Sequence, residues 1–481
     1  MGLAGIIFSL VLLMYLAYRG ISVLVLAPLL AILAVLFSGD TPLFATYTQV
    51  FMPALGKYLI QYFPVFMLGA IFGKLMDDSG SARVIAHRIV QYTGARRAIL
   101  AIVLACAILT YGGVSLFVVA FAVFPIAVAM FREADVPKRL IAGAIALGSF
   151  TFTMTALPGT PAIQNAIPMP FFGTTPFAAP LLGTVAAIIM LGGGMMWLNY
   201  RARVAARQGE GYAESDTSGA VAGDASVADP DAIDAIDATG RSRAATDLPG
   251  FGLAITPIVL VILLNALLTY LVIPAMDTGY LSLDRYGATN LGAVRGIWAI
   301  IGALLLAVVV LVLLNLRRLA DLKGSVNTGT MGSLLPIFNT ASEVGYGATI
   351  ASLPAFAVIR DAVLNISPTN PLVSLAVAVN VLAGITGSAS GGLSIALQTL
   401  GETYTQLAQQ YGIEPGLMHR VASLSSGGFD ALPHNGAVIT LLSICGLTHR
   451  QSYLDIFMVA VAVPVAAIVV VVLLGSAIGA F

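Results

Sequence analysis

The chain has 481 residues, of which 58% are hydrophobic and 10% charged, with 23 basic and 23 acidic residues and no net charge. A water-soluble domain carries about 25% charged residues, so a soluble enzyme is excluded, and the even balance offers no basic surface for nucleic acid. The two cysteines, Cys106 and Cys445, stand far apart in apolar stretches with no disulfide or metal-ligand spacing, so they read as small buried hydrophobes.

Apolar runs at 3–18 and 21–37 are each of a length suited to cross a bilayer core, and a third follows at 58–76. No charged residues precede the first run and no small-residue cleavage site follows it, so it is expected to remain as a helix. Arg83, Arg88, Arg96 and Arg97 then precede the apolar stretch 98–131, and Arg132, Lys138 and Arg139 follow it. Basic residues mark the cytoplasmic side. The stretch is therefore predicted to enter and leave on that side as a re-entrant hairpin, turning at the paired glycines of LTYGGVSLF. Two ordinary spans are the alternative, but the stretch is tight for two crossings. Segments at 140–172 and 176–200 come next, and Arg201, Arg203 and Arg207 return the chain to the inside. Residues 208–248 are small, polar and acidic without apolar periodicity. The first membrane repeat, 1–200, is thus expected to be joined by a disordered cytoplasmic linker, 201–248, to a second repeat over 249–481.

The second half repeats the plan. Segments fall at 251–273, 295–316 and 330–360, then a hairpin at 371–400 around ITGSASGGLSIAL, then 417–446 and 453–480. GGVSLF at Gly112 is echoed by GGLSIA at Gly391, and Ala-Leu-Pro at Ala156 by Ala-Leu-Pro at Ala431, in the same order and at nearly the same separation. Five crossings and one hairpin in each half turn the second half upside down and leave both termini periplasmic. All basic residues except Lys57, Arg285, Arg295, Arg360 and Arg420 then lie inside. The predicted fold class is an all-α polytopic membrane protein: two inverted repeats, each of five transmembrane segments plus one re-entrant hairpin, with discontinuous helices at the midplane. That is the architecture of secondary transporters.

The two Ala-Leu-Pro stretches break what would otherwise be membrane helices, within 140–172 and 417–446. Proline removes a donor and glycine permits the turn, and irregular backbone at that depth is tolerable only where protein or a wet cavity surrounds it. A broken helix offers free N–H groups and a partial positive charge at its restart, which suits an anion. The expected substrate-binding residues are Thr155, Gly159, Thr160, Gln164 and Asn165 in the first break and His434 and Asn435 in the second. Ser115 at the first hairpin tip joins them, as do Thr386, Ser388, Ser390 and Gly391 at the second. Small residues of this kind also serve plain helix packing. Ionisable groups at membrane depth are costly and therefore informative. Asp430 and His434 lie four apart at the second break, and Glu343 sits in NTASEVGYGATI, which reads as a polar interruption of an apolar segment. These three are the expected proton-coupling residues; Asp430 could equally hold His434 in one tautomer or cap a half-helix. The set suits a small hydroxylated anion.

FREADVPKRLIAGAIALGSFTFTMTALPGTPAIQNAIP and SSGGFDALPHNGAVITLLSICGLTHRQSY resemble the gluconate permease family, and TGSASGGLSIAL is similar to its second hairpin region. The resemblance implies a bacterial inner-membrane proton symporter for gluconate or a related sugar acid or short hydroxy acid such as 3-hydroxybutyrate. It also implies a homodimer, with an elevator-like motion of the hairpin-bearing domain against a scaffold. The expected partners are thus a small organic anion, a coupling proton and the lipid bilayer, with no cofactor and no metal. The breaks as read contain no Arg or Lys, so helix ends and His434 would have to meet the substrate's charge, and a dicarboxylate would be harder to neutralise. Sodium coupling through unwound carbonyls is the alternative within the class. An intramembrane hydrolase is a distant alternative, since Asp430 and His434 have no evident serine partner and no G-x-S-x-G elbow stands at either hairpin tip; a channel is another.

Overall fold

The computed structural model describes residues 2–19, 21–39, 41–94, 97–212 and 248–479. Every regular element among them is helical. The first half contains α1 (Gly2–Tyr18), α2 (Val23–Ser38), α3 (Leu43–Asp78), α4 (Ser81–Thr93), α5 (Ala98–Tyr111), α6 (Leu116–Glu133), α7 (Leu140–Ser149) and α8 (Pro180–Arg207). The second contains α9 (Phe251–Ala275), α10 (Leu291–Asn315), α11 (Leu322–Ser352), α12 (Phe356–Leu364), α13 (Pro371–Thr386), α14 (Ala389–Gln410), α15 (Pro415–Ser426), α16 (Gly436–Cys445) and α17 (His449–Ile478). Polar caps start many of them. Asn290, Asp321, Asn370, Ser388 and Asn435 each accept a backbone N–H of the first turn that follows, satisfying donors a helix start leaves open.

Five of these helices, α3, α8, α9, α10 and α17, are long and apolar enough to cross a membrane. A sixth span exists if α11 and α12 are counted together, although the pair bends by 96°. The sequence suggests a single segment over 330–360, and Pro354 explains the difference: it cannot continue the ladder and pushes its predecessor out of the helical region. In contrast, the glycine-rich stretch around Glu343 does not interrupt α11. Gly345 lies against the Phe51 ring and Gly347 against Ile395, so these glycines allow close packing within an unbroken helix.

Among the described residues the most extensive helix–helix contact is between α3 and α11. Gly329 abuts the backbone of Ile71, while Gly345 abuts Phe51, so the two helices run antiparallel. Helix α2 packs on α11 and α10 on α3, with α1 and α9 outside them. The remaining helices form a second group in which α5 packs on α7, α13 on α15 and α8 on α17, and α14 connects it to α11. Neither helix α5, with 14 residues, nor α13, with 16, reaches the ~30 Å of a hydrocarbon core at 1.5 Å per residue. Each is joined to its successor, α6 or α14, by a short connection, 112–115 or 387–388.

Helix α8 continues to Arg207, beyond the end of its predicted segment. The chain then folds back over α7: Glu210 forms an ion pair with Arg139 at 2.7 Å, and the Tyr212 N–H donates to Asp135. The rest of the predicted linker, 213–247, lies outside the described residues.

Candidate functional site

The first break begins where α7 ends. A single turn, Phe152–Thr155, is followed by non-helical backbone to Ala162 and a second turn, Ile163–Ala166. Pro158 and Pro161 supply no N–H, and Gly159 takes φ of +80°, a region other residues rarely adopt. The backbone it exposes is satisfied from outside the break. The Gly159 N–H donates to Pro176 O at 2.9 Å, and its carbonyl accepts from Asn265 of α9 at 3.0 Å. The first hairpin tip lies against this break, with Tyr111 donating to Pro158 O at 2.7 Å and Gly113 facing Pro161. Ser115 follows the tip and packs beside Gly73 of α3.

Asn165 organises the interior of the break. Its amide nitrogen donates to the carbonyls of Thr160 and Pro176, at 3.0 and 2.9 Å. Carbonyls only accept, which fixes the orientation of the amide and turns Oδ1 towards α15. There it accepts from His419 Nε2 at 3.1 Å and from Arg420 Nη1 at 3.2 Å; the other ring nitrogen of His419 lies 2.6 Å from the Thr174 hydroxyl. Arg420 also donates to Thr155 O at 3.2 Å and twice to Ala178 O, at 3.0 and 2.7 Å. Ser423, one turn further along α15, donates to Thr155 O at 3.0 Å. Thr155, Thr160, Gln164 and Asn165 are all buried.

The sequence reading counted Arg420 among the basic residues on the outer side and found no Arg or Lys at either break; the structure brings Arg420 against the first break. It is fully buried and heads the largest enclosed side chains. Its spacing with Ser423, at i and i+3 on one helix face, was a signal available in HRVASLSS. His419 was missed because a lone histidine next to an arginine reads as surface.

The second break, between α15 and α16, is held by its own hairpin. His434 Nε2 donates to Gly384 O at 2.8 Å, and the Asn435 amide donates to Gly387 O at 2.6 Å. Asn435 also caps α16 by accepting from Val438 N–H at 3.1 Å, just as Ser388 caps α14 at 3.0 Å. No hydrogen bond joins Asp430 to His434 among the described residues; a backbone carbonyl orients the imidazole instead. Asp430 is 7% exposed, and its Oδ1 has no hydrogen-bond partner among them. Asn380 Oδ1 of α13 is in the same condition and faces Gly428 of the break. At the tip, Ser390 lies 3.3 Å from the Thr340 hydroxyl and 3.5 Å from Ser388. The Glu343 carboxylate rests where a side chain on Gly391 would stand, beside the start of α14. Thr386 returns its hydroxyl to Leu382 O at 2.9 Å, an ordinary helix contact.

The predicted residues therefore gather into two groups, one at each break. The groups meet where Gly427 faces Thr155, a Cβ on the glycine lying 3.0 Å from Thr155 Cγ2. A narrow pocket lined by Lys57, Tyr58, Gln61, Val344, Ser394 and Gln398 opens beside Glu343's helix. A larger groove of about 520 Å³, lined by Arg83, His87, Arg88, Ile126 and Phe251 among others, shares no residue with the breaks.

The description "GntP family permease" matches residues 1–389 of the chain. The chain is also 46% identical, over 462 residues and 95% of each protein, to an uncharacterized transporter of Bacillus subtilis (strain 168), YxjC. Helices suited to a membrane and this likeness agree: the chain is a multi-pass membrane transporter and belongs to the GntP permease family.

Proposed function

We propose that the protein is a secondary active transporter of the bacterial inner membrane that carries a small hydroxylated monocarboxylate inward with a proton. One observation carries the reading. Each hairpin tip is tied to the broken helix of its own half, through Tyr111 and Pro158 in the first and through His434 and Gly384 in the second, and the two breaks meet at Thr155 and Gly427. One small solute held at that meeting point would touch both halves, which is what an alternating-access site requires. The antiparallel course of α3 and α11, and the matching order of elements around them, support inverted repeats. The short helices α5 and α13 support re-entrant hairpins. In this reading α3, α10, α11 and α2 form the scaffold, and the hairpins and breaks form the moving body of an elevator. Residues 213–247 take no part in transport in this reading, so deleting them should leave uptake intact.

His434, Asp430 and Glu343 are the proposed proton carriers, each placed beside a hairpin or break. Sodium is the second reading, with the carbonyls of Gly384 and Gly387, now taken by His434 and Asn435 at one locus, as its candidate ligands.

The test is uptake into proteoliposomes with an imposed pH gradient, no sodium, and labelled gluconate or 3-hydroxybutyrate in parallel. Accumulation that a protonophore collapses supports proton symport and identifies the preferred acid. Movement only after sodium is added would transfer the coupling role to the carbonyls, and movement of neither acid would overturn the substrate class.

A further inference from the structure

Arg420 is a cation enclosed by protein without an anion. Its four hydrogen bonds go to two backbone carbonyls and one side-chain amide oxygen, all neutral, and no ion pair of the described residues includes it. Guanidinium does not give up its proton in proteins, and removing it from water is costly unless a counter-charge is present. The fold nevertheless makes room for it. Gly183, in the first turns of α8, lies so close that a Cβ there would stand 3.1 Å from Arg420 Nε. The neighbouring His419 shares its partners with this corner, donating to Asn165 Oδ1 and lying 2.6 Å from the Thr174 hydroxyl.

A buried charge held by neutral partners is a standing potential. It lies across the first break, whose residues Thr155, Thr160 and Asn165 are the proposed substrate contacts. We infer that Arg420 is the residue that sets the charge of the transported solute. It holds the Thr155 and Ala178 carbonyls and the Asn165 amide in place and makes the first break a positive site that one carboxylate neutralises. The inference rests on the carboxylate reading above and deepens it. Arg420 acts through the peptide groups it holds and through its field, as a positioning residue. A neutral analogue of the solute would leave the cation uncompensated, and a dianion would leave the corner with a net negative charge, so the site selects a monoanion.

The experiment uses the reconstituted full chain as wild type, Arg420→Lys and Arg420→Gln, with uptake of the labelled acid competed by the unlabelled acid and by its primary amide. Wild type is expected to prefer acid over amide by about tenfold or more. Arg420→Lys keeps the charge but not the planar fork, so its KM should stay within about threefold of wild type with a lower maximal rate. Arg420→Gln should raise KM by about tenfold or more and lose the preference for the acid, with a thermal midpoint close to that of Arg420→Lys. Equal damage to KM in both variants would show that the hydrogen bonds matter and the charge does not, overturning the inference. If Arg420→Gln does not fold, wild type and Arg420→Lys decide, because an amide that competes as well as the acid against either overturns it. Wild type that transports no carboxylate overturns the substrate class as well, whereas uptake of the acid without charge preference removes only the role of Arg420.

Discussion

In the proposed function His434 combines a structural role with a part in proton coupling. Its Nε2–H is committed to the Gly384 carbonyl, so Nδ1 is the position left to take or release a proton. His434→Gln retains a donor of similar reach but no titrating group. It should insert normally, yet lose accumulation driven by a pH gradient while still allowing exchange of solute down its own gradient. Full uphill uptake by His434→Gln would remove His434 from the coupling step. A second prediction concerns Gly391, whose missing side chain is the space occupied by Glu343's carboxylate. Gly391→Ala displaces that carboxylate from the hairpin tip, and transport should fall about tenfold or more with little change in thermal midpoint; unchanged uptake would mean that Glu343 need not sit there. The polar residues at the breaks were legible in the sequence because proline and glycine in an apolar run demand an explanation. Their partners were less so. Which carbonyl a histidine meets, or that Arg420 reaches Thr155 from 265 positions away, depends on tertiary contacts that no local pattern encodes.

At the scale of elements, α7, α8 and α17 are fastened at one end by a single buried acid. Asp455 accepts from Arg139 at 3.1 Å, from Arg201 at 2.9 Å and from Trp197 at 3.0 Å, with only 1% of its side chain exposed. Removing the charge strands the Arg201 guanidinium and leaves Arg139 to Glu210 alone, a loss of up to about 3–5 kcal/mol by comparison with fully buried pairs. Asp455→Asn should therefore lower the thermal midpoint in detergent markedly, while the molecules that stay folded transport normally. Glu210 completes the same cluster. Its hydrogen bond to Arg139 holds the carboxyl below the ordinary glutamate value of 4.5, so its stabilising effect is complete above that pH and is lost as pH falls through the lowered value. Glu210→Gln should lower stability at neutral pH by that contribution and converge with the wild type on the acid side, so that its stability-versus-pH curve is flatter there. Most helices were legible as apolar runs bounded by basic residues. The exceptions have specific causes: α3 starts well before its apolar run at 58–76, because the hydroxyls of Thr46 and Thr48 bond back to Pro42 and Phe44 carbonyls and let polar residues continue the helix. Similarly, the glycines flanking Glu343 looked like a break and proved to be contact surfaces.

For the molecule as a whole, the antiparallel pair of α3 and α11 joins the two halves at backbone distance. Gly329→Leu would drive a side chain into the backbone of Ile71, whose Cα is 2.8 Å from the Cβ position. Neither helix can withdraw without opening the interface, so this variant should fail to assemble, read as loss of the monodisperse peak in size-exclusion chromatography; a well-behaved, active protein would show the two helices free to separate.

The reach of α15 into the first break also dictates the order in which the protein can be completed. Thr155 and Ala178 emerge from the ribosome early, but the guanidinium and the Ser423 hydroxyl that occupy their carbonyls are made only after most of the second half. Until then the first break is an unfinished segment with unsatisfied backbone at membrane depth, where such groups are costly. The amino-terminal half made alone should therefore be a substrate for membrane quality control and turn over quickly. Co-expression of residues 248–481 as a separate chain should lengthen its lifetime, and with Arg420→Gln in that second chain the rescue should be weaker.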